Sequence, residues 1–205
     1  AEEVLSAIGP HGVMPWPGET KAVLLLRVDG SAEAVKADAA RLSKVLAGPG
    51  TLHLETAATP ASEKALWDLR SLINPASYGL APDKLSDDAT FPRGALGQAI
   101  LGIREIGARY GLLILIFGHL GDGNLHINIM YDAKNADEAK RAAKAREEII
   151  TLTLSLGGSL SGEHGVGLSK LPFFDRQFAP AERALMRRIK AAFDPRGVMN
   201  PGKGY

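Results

Sequence analysis

The chain alternates between short apolar runs of strand length and longer stretches in which apolar residues recur at helical spacing. Residues 21–28 (KAVLLLRV) read as a buried strand and residues 51–56 (TLHLET) as a second. Between them Ser31 is placed as the N-cap of a helix reaching about residue 46, with Val35, Ala39, Leu42 and Val45 on one face. Pro60 opens a helix that carries Leu66, Trp67, Leu69 and Arg70. Residues 74–90, with Pro75, Gly79, Pro82 and three aspartates, read as a loop. A helix is expected over 94–110. The apolar runs 112–117 and 125–131, joined by a tight GHLGDGN turn, predict a hairpin of two central strands. An alanine-rich helix over 136–156 leads through Gly157 and Gly158 into a short strand. A last helix begins at Pro180 and ends near Phe193, before Asp194-Pro195. Residues 1–20, with turns around Pro10, Gly12, Pro15-Trp16-Pro17 and Gly18, read as an irregular lead-in.

Single helices between strands, together with a hairpin, predict an α+β fold: an antiparallel sheet with helices largely on one face. Its 205 residues suffice for one large domain spanning 1–205. Composition narrows the function classes. The net charge of +1 lacks the basic excess of a nucleic-acid binder. The longest apolar run, 112–117, is far too short to span a membrane. The start, Ala1-Glu2-Glu3, has no basic or apolar leader character, and the missing initiator Met hints at a fragment. The expected location is the cytoplasm, or the periphery of the inner membrane face. With no cysteine, disulfides, thiolate metal sites and cysteine-ligated clusters are excluded within the chain.

Candidate chemistry concentrates in two segments. In 118–128, His119 ends one hairpin strand while His126 and Asn128 share the non-apolar face of the other, alternating with Leu125, Ile127 and Ile129. Imidazoles converging across a hairpin can hold a divalent ion. Spacing alone fits two half-buried histidines bonded to carbonyls at least as well. In 161–167 (SGEHGVG), Glu163 and His164 stand between glycines. Glu163 could complete a His-His-Glu site with an open position, leaving His164 free as a base; a solvated turn is the plainer alternative. The glycine order is not that of a dinucleotide or phosphate loop. Arg70 has the planar fork to clamp a carboxylate, though most such arginines are surface charges, and Lys84 is equally ambiguous. His11 and His53 receive no role.

Together, GHLGDGNLHINI (118–129), SLSGEHGVG (159–167) and FDPRGVMNPGK (193–203) resemble the C-terminal domain of FAD-linked oxidases. That group contains D-lactate dehydrogenase, D-2-hydroxyglutarate dehydrogenase and the flavoprotein subunit of glycolate oxidase. LLLRVDGS (24–31), LWDLR (66–70) and DDATFPRGAL (87–96) extend the likeness across nearly the whole chain and reverse the plainer readings above. The resemblance implies a cap-like substrate domain over an FAD-binding domain of the vanillyl-alcohol-oxidase type that is absent from this chain. It implies His119, His126 and Glu163 as ligands of a divalent metal, zinc foremost, and His164 as the base that takes the substrate hydroxyl proton. Arg70 and Asn128 match groups that hold a 2-hydroxy acid, Arg70 on its carboxylate, and Asn200 matches a residue near the flavin. Lys84 is carried over as a substrate contact, although the segment around it looks more like the glycolate oxidase branch. Asn74 stands where the 2-hydroxyglutarate enzymes carry a threonine, so selectivity for a second carboxylate lacks support.

The implied reaction is oxidation of a D-lactate- or glycolate-type 2-hydroxy acid to the 2-oxo acid, the C2 hydride passing to FAD held mainly by the absent N-terminal domain. Alone, this chain is expected to be inert; the electron acceptor or partner subunit stays open. Two other classes compete on residues alone. A stand-alone metal-dependent hydrolase would use the same three ligands but has no need of FDPRGVMNPGK. A non-catalytic ligand-binding or assembly domain would tolerate loss of His164, which is present.

Overall fold

The computed structural model describes residues 4–5 and 18–204. It divides into two compact units, Ala1–Leu80 and Ala81–Tyr205. Most of the expected lead-in, His11 included, lies outside the described residues.

In the first unit, α1 (Ala32–Leu46) starts where Ser31 accepts the Ala34 N–H at 3.3 Å. Its apolar face is only partly covered: Val35, Ala39 and Leu42 are half-buried and Val45 is exposed. Helix α2 (Pro60–Ser71) is capped reciprocally by Thr59 and Ser62, with Pro60 in the first turn. A short helix, α3 (Ile73–Ser77), follows where a loop was expected. Residues 21–28 and 51–56 correct the sequence reading, for neither is a strand. Val23, Leu24, Leu26, Leu52 and Leu54 are each about half exposed. Hydrophobicity yields a strand only where a neighbouring chain pairs the backbone and another surface covers the side chains. Neither segment pairs with a strand among the described residues.

The second unit holds the sheet. Its elements are β1 (Asp83–Thr90), α4 (Leu96–Tyr110), β2 (Ile114–His119), β3 (Asn124–Tyr131), α5 (Ala136–Ser155), α6 (Phe174–Gln177) and α7 (Pro180–Phe193). The strands pair antiparallel in the order β1-β3-β2, so the α+β expectation stands. Two details differ. Among the described residues only β3 is central, and residues 83–90 form an edge strand, not loop. The pattern there is masked because Asp87 occupies an inward-facing position, where Arg146 of α5 neutralises it through bonds of 2.5 and 2.9 Å. The short strand expected after Gly158 is a single bridge between Ser159 and Thr90. Beyond that bridge the N–H groups of Gly162, Glu163 and His164 go to the Asp88 side chain and not to the backbone of β1.

Period-two alternation gives the sheet two unlike faces. Ala89, Ile114, Ile116, Leu125, Ile127 and Ile129 pack against Leu96, Ala99, Ile103 and Ile106 of α4 and Ala142, Ala145 and Ile149 of α5. Each large side chain buried there contributes roughly 1.5–3 kcal/mol. Ala142 and Ala145 of α5 are fully buried in this core. The opposite face carries Ser86 and Asp88 on β1, Asn124, His126 and Asn128 on β3, and Phe117 and His119 on β2, as the register requires. Candidate chemistry therefore sits on the face that α4 and α5 leave uncovered.

Candidate functional site

The β2–β3 turn is fixed by a close backbone approach. Gly123 has φ 73°, and a β-carbon there would stand 2.1 Å from the Phe91 carbonyl oxygen. Phe91 N–H instead donates to Gly123 O at 2.9 Å, tying the turn to the end of β1. His119 then ends β2 opposite Asn124, while His126 lies between Phe117 on one side and Asp88 on the other. The rings of His119 and His126 meet edge-on, 5.3 Å apart.

The second segment folds over this hairpin. Gly162 lies against the buried amide of Asn124, whose Oδ1 has no hydrogen-bond partner among the described residues. That contact brings Glu163 Oε1 to 3.3 Å from His126 Nε2 and 3.6 Å from His119 Nε2. The ligand atoms of His119, His126 and Glu163 all lie within 4.8 Å of one another. Two imidazole nitrogens and a carboxylate oxygen, with His119 and Glu163 partly open to solvent, form a donor set that suits a zinc-type divalent ion with coordination positions to spare. His164 stacks on His126 with ring centroids 5.4 Å apart. Its Nδ1 is 3.5 Å from Asp88 Oδ1 and its Nε2 is 3.9 Å from Glu163 Oε1.

Two charged residues that sequence reasoning missed lie beneath this cluster. Asp88 is fully buried and Lys170 nearly so. Lys170 Nζ donates to Asp88 Oδ1 at 2.5 Å and to the Asp88 carbonyl at 2.8 Å. Asp88 Oδ2 accepts the successive N–H groups of Gly162, Glu163 and His164 at 2.8, 2.6 and 3.1 Å. Burial by itself disfavours the carboxylate's charge. Lys170 and the loop N–H groups outweigh burial and hold the Asp88 carboxyl well below the usual range. Alternation along 83–90 could have placed Asp88 beside His126. Nothing local points to Lys170, which reaches Asp88 from far along the chain.

The other expected residues fall as follows. Asn128 shares the face of His126 and is buried, accepting the Ser86 hydroxyl at 2.6 Å. Lys84 is on β1 opposite Met130, half-buried, in register with that same face. Asn200 is exposed, with φ 49°, in a tail whose Gly204 N–H donates to Gly167 O at 3.2 Å. The tail thus returns to the loop that carries Glu163 and His164. Arg70 belongs to the first unit, half-buried in the last turn of α2. His53, also in the first unit, lies 3.6 Å from Glu55.

Comparison with known proteins gives a concordant result. Residues 2–204 match the family model described as FAD linked oxidases, C-terminal domain. The glycolate oxidase subunit GlcD of Bacillus subtilis is 36% identical over 204 residues, which is 100% of this chain and 43% of that protein. A D-lactate dehydrogenase of Anaerostipes hadrus is 30% identical over 189 residues, 90% of this chain and 39% of that protein. This chain therefore spans about two fifths of the length of these relatives. Among solved structures, 4-ethylphenol oxidase from Gulosibacter chungangensis in its isoeugenol complex superposes with a TM-score of 0.54 at 18% identity, covering 85% of this chain and 37% of that one. At that identity the likeness is one of fold. No helix among the described residues is long and apolar enough to cross a membrane.

Proposed function

The chain belongs to the FAD linked oxidases through their C-terminal domain, and from that premise we propose that it is the substrate- and metal-binding part of a flavin-dependent 2-hydroxy-acid dehydrogenase or oxidase. The observation that carries this reading is the convergence of His119, His126 and Glu163 with His164 stacked beside them. The relatives bearing the names glycolate oxidase subunit and D-lactate dehydrogenase favour a small 2-hydroxy acid.

In this reading His119, His126 and Glu163 would hold a divalent ion, zinc by preference. Such an ion lowers the pKa of a coordinated hydroxyl, as it does for water. FAD, held mainly by a further domain outside this chain, supplies the two-electron oxidant when bound. His164 takes the substrate hydroxyl proton, an imidazole being a base of suitable strength for that step. Arg70 would bind the substrate carboxylate, Asn128 and Lys84 would hold its remaining polar groups, and Asn200 would contribute to holding the flavin. The location that goes with this reading is the cytoplasm or the periphery of the inner membrane face.

The decisive experiment assays the full-length flavoprotein against D- and L-2-hydroxy acids with an artificial electron acceptor. Turnover of a small D-2-hydroxy acid or of glycolate is expected, with loss of activity on metal removal and recovery on adding zinc. Failure of every 2-hydroxy acid to reduce the flavin of metal-replete protein would overturn the reading. Hydrolysis without flavin reduction would favour a metal-dependent hydrolase instead.

A further inference from the structure

Asp88 is a buried carboxylate to which the proposed reaction gives no metal ion, substrate group or proton to hold. It has no exposed surface and sits directly across the ladder from His126, on the same face of the sheet. Its two oxygens face different clients. Oδ1 takes the Lys170 ammonium at 2.5 Å, and Oδ2 takes the three consecutive N–H groups of residues 162–164. Successive backbone N–H groups pointing one way make a concave anion-binding nest. Here the anion is the chain's own side chain, so the nest is filled and the loop is drawn onto β1. Ser161 continues the pattern: its hydroxyl lies 3.4 Å from both Asp88 oxygens and accepts the Gly165 N–H at 2.7 Å.

We propose that Asp88 is a positioning residue for the reaction centre, whose carboxylate clamps the 162–164 backbone and thereby sets where Glu163 and His164 point. The inference rests on the reading of Glu163 as a metal ligand and His164 as the base. The clamp works at short range. Glu163 has its own N–H fixed at 2.6 Å by Asp88 while its carboxylate reaches His126 at 3.3 Å, so a shift of the backbone is passed directly to the ligand. His164 is held twice, through its N–H at 3.1 Å and by its ring edge 3.5 Å from Oδ1. A carboxylate is required because acceptors are needed on both sides. An asparagine would turn its NH₂ group toward either the loop donors or the Lys170 ammonium, placing donor against donor. Lys170 offsets the charge of this buried carboxylate through the 2.5 Å pair.

The test compares Asp88→Asn with the parent in the full-length, flavin-loaded protein, with His119→Ala/His126→Ala as a control. Zinc affinity is read by competition with a chromophoric chelator. Flavin reduction is followed at saturating substrate on zinc-loaded protein, and hydrogen exchange is read in the 161–166 segment. Expected for Asp88→Asn are zinc binding weakened roughly 10–100-fold, the range for removing a partner behind a metal ligand, and a slower limiting rate of flavin reduction. Exchange should be faster in 161–166 but unchanged in α4 and α5. A residue that merely stabilised the fold would lower the yield of folded protein and leave the limiting rate of the folded, zinc-loaded fraction alone. If Asp88→Asn does not accumulate, Asp88→Glu keeps the charge but advances it by one methylene, and intermediate losses in affinity and rate are expected. Parental affinity, rate and exchange in whichever variant folds would overturn the clamp. Zinc retained by the double histidine control would instead overturn the metal reading on which it rests.

Discussion

Gly162 lies so close to Asn124 that a β-carbon on the glycine would stand 2.4 Å from Asn124 Oδ1 and 2.5 Å from its Cγ. Asn124 is buried in the central strand, its backbone paired with Thr90 on one side and His119 on the other, which leaves its amide little room to swing aside. In Gly162→Ala the loop must therefore lift, carrying Glu163 away from His126. We expect zinc affinity to fall at least severalfold while unfolding free energy changes by only about 1–3 kcal/mol, the cost of modest overpacking. Chelator competition beside a denaturant melt separates the two quantities. Parental zinc affinity would mean that this contact does not place the loop.

The metal assignment itself is tested by ligand removal. Protein purified without chelator should carry up to one divalent ion per chain by elemental analysis, and His119→Ala/His126→Ala should carry none. The double change suits the site because Glu163 alone, half exposed, offers too little to retain an ion. Full occupancy in the double variant would move the site elsewhere.

How far these features could be read in advance depends on whether their cause is local. The N-cap at Ser31, the helix start at Pro60 and the helices over 94–110 and 136–156 follow from short-range patterns, and the structure has them. The hairpin bearing His119 and His126 was equally legible, because alternation and a glycine turn both lie within one short stretch. Residues 21–28 were over-read: three successive leucines signal burial but cannot supply a pairing partner. Strand β1 was missed for the opposite reason. Asp87 breaks its apolar face, and only Arg146, on a helix formed much later in the chain, makes that charge tolerable there. The same distance in sequence hid the Asp88–Lys170 pair, which no spacing rule connects.

The tail offers a prediction in acid. Asp194 accepts from Lys190 Nζ and from Val198 and Met199 N–H groups at 3.0 and 2.9 Å, closing the turn that leads to Asn200. The Lys190 ammonium holds its carboxyl below the usual 3.8, burial opposes this, and the two N–H groups add to the lowering. A carboxyl with a lowered folded-state pKa stabilises the turn fully above pH 3.8, and that contribution is lost as pH falls through the lowered value. Amide resonances of Val198 and Met199 should therefore hold steady down to pH 3.8 and shift below it. Asp194→Asn should abolish the acid transition at these two amides. A transition that persists in that variant would assign the titration to another group.

The proposed base and the proposed carboxylate clamp should fail in different ways, and the contrast is more informative than either variant alone. Removing a general base costs roughly 10²–10⁴-fold in the chemical step. In the full-length enzyme His164→Ala should lower kcat by that order while metal content stays intact, because His164 is not among the three proposed ligands. Arg70 is asked only to bind. Its planar fork pairs two donors with a carboxylate, which the point charge of a lysine cannot reproduce. Both Arg70→Lys and Arg70→Ala should therefore raise KM for every 2-hydroxy acid turned over, with a smaller effect on kcat, the pattern of lost uniform binding. Steady-state kinetics on the three variants, with metal analysis of each, measures both partitions at once. Near-normal kcat in His164→Ala would assign proton transfer to another group, and an unchanged KM in both Arg70 variants would leave Arg70 as an ordinary charge at the end of α2.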